Sequence, residues 1–170
     1  MSSASIAVDR IEVSVSGLFM THHHFDTGSG SCGELTVPSF GRGAAFCAAD
    51  GQEFAIRRTS WLGGKYEMSV AEEVRATARP RGAFRRAIEV DFPSDSFAVV
   101  PAGAFRQGWY LLDAQGIRLL EFQPRGAFRR GAHLEVLAPT RLEVIALFYY
   151  LVYQRKQEEA AAASAAASSA

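Results

Sequence analysis

Three consecutive histidines, His22-His23-His24, are the densest set of titratable nitrogen ligands in the chain. Alternate side chains of a strand share a face, so His22 and His24 project together, and Cys32 or His133 could join them. Zinc asks for three or four ligands in set geometry, and no carboxylate or cysteine stands at a telling spacing. The run therefore reads as exposed histidines, with no metal. Gly28-Ser29-Gly30-Ser31-Cys32-Gly33 matches G-x-G-x-x-G letter for letter. A dinucleotide fingerprint needs a strand before it and a helix after it. Here Glu34 to Val37 reads as strand and Asp50 sits in an Asp-Gly turn, so the motif reads as a flexible hairpin loop and implies no cofactor. No G-x-S-x-G, no H-E-x-x-H and no Cys–His pair with an orienting residue is present. Glu89 and Asp91 share the polar face of one strand, as solvated pairs do. Glu143 stands where a helix begins and reads as part of its cap rather than as a general acid. An enzyme is the less favoured class.

A stronger pattern is arginine interleaved with aromatics. Pro80-Arg81-Gly82-Ala83-Phe84-Arg85-Arg86 returns almost unchanged as Pro124-Arg125-Gly126-Ala127-Phe128-Arg129-Arg130. Pro101-Ala102-Gly103-Ala104-Phe105-Arg106-Gln107 is a third copy, and weaker ones run from Pro38 to Arg42 and from Thr59 to Lys65. The aromatics Phe40, Trp61, Phe84, Phe105 and Phe128 recur roughly every 22 residues. Guanidinium forks match phosphate, and aromatic rings sit well at headgroup depth. The candidate anionic-surface residues are Arg81, Phe84, Arg85, Arg86, Phe105, Arg106, Arg125, Phe128, Arg129 and Arg130. The favoured reading of the repeat has the rings folded inward as a plug over the helix, with the arginines merely solvated; docking through the rim is the alternative. Outward rings favour docking and buried rings favour the plug.

These residues need a scaffold, and the repeat supplies it. A period of this length with a turn in the middle is a hairpin of two short strands. Ile88, Val90 and Phe92 alternate with Glu89 and Asp91; Tyr66, Met68 and Val70 alternate with Glu67 and Ser69. Five such hairpins follow an opening pair, read as Ile6 to Ser16 and Leu18 to Phe25, with Thr27 to Gly33 as a loop. Twelve meandering strands leave too many edges as an open sheet, so the expected fold is mainly β, a closed antiparallel barrel. From Val144 to Tyr153 there is no polar face, and a helix apolar all round must be enclosed. Thr140-x-x-Glu143 offers a capping box, so a helix over 140–159 is expected at the barrel's centre. Ten apolar residues cover about 15 Å, too short for a transmembrane span. In a meander, connections one hairpin apart lie at the same end. The arginine repeats thus gather at one end, and Asp50, Glu53, Glu72, Glu73, Asp95 and Asp113 at the other.

Composition fits one domain over 1–159 followed by a low-complexity Ala/Ser tail, 160–170. The tail either prolongs the helix by a turn or two or stays disordered. Formal net charge is zero, so no global field argues for nucleic acid or membrane, and any electrostatic function must come from uneven placement. Cys32 and Cys47 have no zinc spacing; they could form a single disulfide, but two buried or free thiols in a reducing compartment are the favoured reading. The first residues lack a charged and then apolar signal pattern, so a cytoplasmic location is expected, at most peripheral to a membrane.

A twelve-stranded meander closed on an apolar C-terminal helix resembles the tubby C-terminal-like superfamily, which includes phospholipid scramblases and LURP-one-related proteins. Gly33-Glu34-Leu35-Thr36-Val37-Pro38-Ser39-Phe40, the Asp50-Gly51 turn, Ile56-Arg57-Arg58-Thr59-Ser60-Trp61 and Leu147-Phe148-Tyr149-Tyr150-Leu151-Val152 are similar to small bacterial members. The resemblance implies a barrel and a non-enzymatic role, sometimes at membranes. It transfers no site residue, because the family's phosphoinositide-binding, calcium-binding and palmitoylated-cysteine motifs have no match here. The expected function is a non-catalytic binding module that meets anionic phospholipid through its basic-aromatic rim. The alternative is an adaptor that binds a protein partner. An enzyme or small-ligand carrier comes after these, since the helix fills the cavity a carrier needs.

Overall fold

The computed structural model describes residues 5–6, 9–39, 43–60, 64–82, 86–103, 108–126 and 130–168. Among the described residues fourteen strands and one helix follow in order. They are β1 (Ser5–Ile6), β2 (Arg10–Ser16), β3 (Met20–Thr27), β4 (Gly30–Pro38), β5 (Gly43–Ala48), β6 (Glu53–Arg58) and β7 (Tyr66–Val70). There follow β8 (Glu73–Arg81), β9 (Ala87–Asp91), β10 (Ser96–Pro101), β11 (Trp109–Asp113), β12 (Arg118–Pro124), β13 (Gly131–Val136), β14 (Thr140–Arg141) and α1 (Leu142–Ser168).

Strands β2 to β13 form a closed barrel in which each strand pairs with its sequence neighbour. Closure is made by β13 on β2, antiparallel, with Leu134 opposite Ile11. The twelve-stranded meander expected from the repeat is what forms. Period-2 alternation sets the register, since slipping one residue would send each apolar set to the wrong face. Ile11 and Val13, Phe25, Leu35, Phe46, Phe54 and Ile56, Met68, Ile88 and Val90, Leu120 and Leu134 all point inward and are buried. Charged partners such as Glu12, Glu67, Glu89 and Glu121 occupy the outward positions between them.

Inside runs α1, a helix of 27 residues. Every residue from Glu143 to Val152 is buried, on all sides of the helix. That stretch is about 15 Å long. A six-residue strand tilted by about 40° rises through a similar height, so the enclosed segment matches the wall. Ring contacts reach across the interior to opposite walls: Tyr149 meets Phe25 of β3 at 5.1 Å and Phe122 of β12 at 6.0 Å, while Tyr150 meets Tyr66 of β7 at 5.9 Å. Each buried ring of this kind contributes roughly 1.5–3 kcal/mol by leaving water.

Several boundaries differ from the sequence reading. The opening strand divides at Asp9: β1 leaves the barrel and pairs with β14 beneath it, with Ser5 opposite Arg141. The second strand starts at Met20 rather than Leu18. The loop expected over Thr27 to Gly33 contracts to a turn at Gly28-Ser29, because Thr27 pairs with Gly30 and the strand resumes there. Gly33 lies within β4, where a Cβ would run into the Phe46 ring and come within 2.8 Å of the Cys47 carbonyl. The glycine-rich motif thus serves a tight hairpin and an aromatic packed over bare backbone. The helix begins at Leu142 rather than Thr140 and continues through the alanine tail to Ser168. Thr140 is part of β14 and donates its hydroxyl proton to the Ala138 carbonyl at 2.8 Å. The Glu143 carboxylate meets Arg141 at 2.9 Å.

Candidate functional site

The connections β2–β3, β4–β5, β6–β7, β8–β9, β10–β11 and β12–β13 share one end of the barrel, as the meander requires. Of the ten candidate surface residues, Arg81, Arg86, Arg125 and Arg130 lie among the described residues, and all four fall at this end. Phe84, Arg85, Phe105, Arg106, Phe128 and Arg129 lie outside the described residues, as do Phe40, Arg42 and Trp61. Arg81 ends β8 with its side chain two-thirds exposed, 3.8 Å from Glu89. Arg86 and Arg130 are exposed where β9 and β13 begin, and Lys65 is exposed before β7. Arg125 is different: it turns onto the wall and pairs with Glu12 at 2.7 Å, three-quarters covered. It belongs to a wall ion pair more than to the rim.

At the opposite end, several of the expected carboxylates shape turns. Asp50 accepts from the Gln52 amide at 3.0 Å. Asp113 accepts from the amides of Gln115 and Ile117 at 2.9 and 2.8 Å. Asp95 pairs at 3.1 Å with Arg141, whose guanidinium lies 4.9 Å from the Phe92 ring centre. Glu143 shares that arginine, so its carboxylate is tied into an ion-pair network at the helix start.

The helix enters at this acidic end and leaves through the basic one. Glu158 lies 3.5 Å from Arg58 at the end of β6, and Lys156 lies over the Phe122 ring. Residues 160–168 project beyond the wall and are exposed. The helix brings a balanced set of charges to the basic end, Arg155 and Lys156 with Glu158 and Glu159, so the two-ended charge map is softened chiefly at the other end, where Arg141 sits among the acids.

A further feature of the basic end escaped the sequence reading. Leu18, Phe19 and Met20, at the β2–β3 connection, are 77%, 81% and 48% exposed. Reading them as strand hid their position at a tip.

The histidine run corrects its sequence reading, since only the outer two residues are accessible. His23 points inward and is fully buried. Its Nδ1 is 2.8 Å from the Tyr149 hydroxyl and its Nε2 is 3.1 Å from Thr21 Oγ1. Thr21 gives its own proton to the Val37 carbonyl at 3.2 Å. It must then accept from Nε2–H, which leaves Nδ1 to accept from Tyr149. Burial, followed by the neighbouring His22 and His24, pushes the His23 pKa down to about 4. Burial likewise pushes Tyr149 well above the usual phenol range. The signal was available: His23 shares parity with Phe25, whereas His22 and His24 do not.

On the outer wall His22 Nδ1 lies 2.7 Å from Glu34 Oε1 and His24 Nδ1 lies 3.0 Å from Oε2. The hydrogen bond from His22 is the main cause holding Glu34 below the ordinary carboxylate range. The imidazoles clamp the two oxygens of one carboxylate rather than converging on an empty centre. Among the described residues no three His, Cys, Asp or Glu side chains are arranged to hold a metal. Cys32 and Cys47 are free thiols; Cys32 is half-buried, bonded to the Phe25 carbonyl at 3.3 Å and raised by burial to about 11, and Cys47 is exposed. A cleft of about 440 Å³ lies along the rim ends of β4, β5 and β6, over Gly43, Ala45, Ala55 and Arg57. Among the described residues its walls are chiefly small apolar side chains, with Thr36, Arg57 and Arg58. Among the described residues no helix is long and apolar enough to cross a membrane. No protein-family model, no curated protein and no solved structure matches this chain, so the family resemblance stands on its own residues alone.

Proposed function

We propose that the protein is a non-catalytic binding module that docks to anionic phospholipid through the basic end of its barrel. A place in the tubby C-terminal-like superfamily is part of the same proposal, supported by the closed twelve-stranded barrel with a C-terminal helix through it. The observation that carries the docking reading is the exposure of Arg81, Arg86, Arg130 and Lys65 on three separate hairpin connections of one end. Exposed cations gathered at one end of a barrel are drawn to an anionic surface, each adding about 1 kcal/mol near the membrane. A non-catalytic role is supported by the interior, where His23 and Tyr149 are engaged in a relay that runs through Thr21 to the Val37 carbonyl and the helix occupies the space a substrate would need.

Vesicle flotation tests this. The full chain is expected to float with phosphatidylcholine vesicles containing phosphatidylserine and to stay behind with phosphatidylcholine alone. The Arg81→Ala, Arg86→Ala, Arg130→Ala triple variant should lose most of that binding, and salt should weaken it. Equal flotation of the variant and the wild type would refute the reading, and a pulled-down protein partner sensitive to the same three changes would favour the adaptor instead.

A further inference from the structure

The β2–β3 connection is a built feature. Gly17 holds a positive φ of 86°, where a Cβ would run into the Met20 carbonyl. The turn is tied from both sides. Arg130 Nη1 donates to the Gly17 carbonyl at 3.3 Å, from the β12–β13 connection. From the end of β4, the Ser39 amide donates to the Phe19 carbonyl at 3.0 Å and the Ser39 hydroxyl to the Leu18 carbonyl at 3.2 Å. All three bonds take main-chain carbonyls, so they fix the backbone while leaving Leu18 and Phe19 pointing into solvent. Adjacent apolar side chains held outward on a braced turn cost free energy unless something covers them.

Resting on the docking reading above, we infer that Leu18 and Phe19 form a wedge that enters the headgroup–acyl boundary of an anionic bilayer, with Arg130 beside it meeting lipid phosphate. A bilayer suits this tip better than a protein does. Two or three side chains fall far short of the 1,000 Å² or so that a stable protein interface buries, whereas peripheral membrane binding needs only a few apolar groups beside positive charge. The chemistry is divided accordingly: the rings and branches are apolar, and the adjacent guanidinium is a phosphate ligand.

The test replaces Phe19 with tryptophan and records emission on phosphatidylcholine vesicles with and without phosphatidylserine, made with and without brominated acyl chains. Wild type, carrying Trp61 and Trp109, is the background. Blue-shifted, bromine-quenched emission from Phe19→Trp on the anionic vesicles is expected. A Leu18→Ser, Phe19→Ser variant should bind them at least about tenfold more weakly, with an unchanged melting temperature because both side chains are exposed. If the wild type binds anionic vesicles while the introduced tryptophan is unquenched and the double-serine variant binds equally, the wedge is wrong and the arginine rim stands. If the wild type binds no vesicle, both proposals fall.

Discussion

Tyr149 of the enclosed helix gives its hydroxyl proton to Nδ1 of His23, on the third strand, across 2.8 Å of barrel interior. The bond continues through the half-buried Thr21 to the Val37 carbonyl, so the relay from two buried rings ends on one backbone acceptor. The remaining interior contacts of the helix are largely apolar, and apolar packing tolerates sliding and repacking. A directed polar relay does not, so this one fixes the helix in rotation and depth. Tyr149→Phe removes the donor and strands Nδ1. It should cost about 1–3 kcal/mol in urea unfolding. A loss below a few tenths would show that the relay sets nothing.

The same histidine makes the fold acid-sensitive. Unfolded, His23 takes a proton as pH falls below its ordinary value of 6.5; folded, it resists until about 4. Its contribution is therefore complete above 6.5 and is lost as pH falls from there toward 4, up to about 3 kcal/mol. His133, also depressed by burial, pulls in the same direction. Urea midpoints taken from neutral to mildly acid pH should fall steeply for wild type and more shallowly for His23→Gln. Parallel curves would place the acid sensitivity elsewhere.

Strain sits in the β7–β8 turn. Val70 pairs with Glu73, and the two residues between them, Ala71 and Glu72, both hold positive φ, 48° and 69°. This is the hairpin geometry that Asn-Gly adopts readily and that side chains such as these resist. Ala71→Asn with Glu72→Gly should stabilise the protein by roughly 1 kcal/mol, read as a higher melting temperature. Lower stability would mean that these side chains do something the turn geometry hides.

Gly33→Ala should act oppositely. The new methyl group would strike the ring of Phe46, which is fully buried and packed edge-on against Phe25 at 5.3 Å. Overpacking of that kind costs about 1–3 kcal/mol. Restoring the melting temperature by adding Phe46→Leu would confirm the clash, and failure to restore it would assign the cost to the Cys47 carbonyl instead.

The barrel was legible in the sequence because its evidence is repeated: the aromatic period counts the hairpins, and Val144 to Tyr153 demands a sheath. The end-to-end path of the helix follows from the strand count as well. An even number of strands returns the chain to the end where β2 began, so a helix threaded from there must leave through the arginine end and bring Glu158 with it. His23 was masked by its neighbours, since three like residues hide the alternation that Thr21 and Phe25 reveal. Leu18 and Phe19 could not be placed, because an apolar pair after a glycine reads equally as the start of a strand or the tip of a turn. The split between Arg125 on the wall and Arg130 on the rim depends on Glu12, which lies far away in sequence and is brought alongside only when β13 closes on β2.

Hydrogen exchange of the full chain on vesicles containing phosphatidylserine probes the docking end most directly. Protection gained on lipid should concentrate at the β2–β3, β8–β9 and β12–β13 connections, around Phe19, Arg86 and Arg130. The Asp50-Gly51, Ala71-Glu72 and Gln115-Gly116 turns should exchange as they do in solution. Protection gathered at those acidic-end turns, or along the His22–Glu34–His24 wall, would contradict docking through the arginine end.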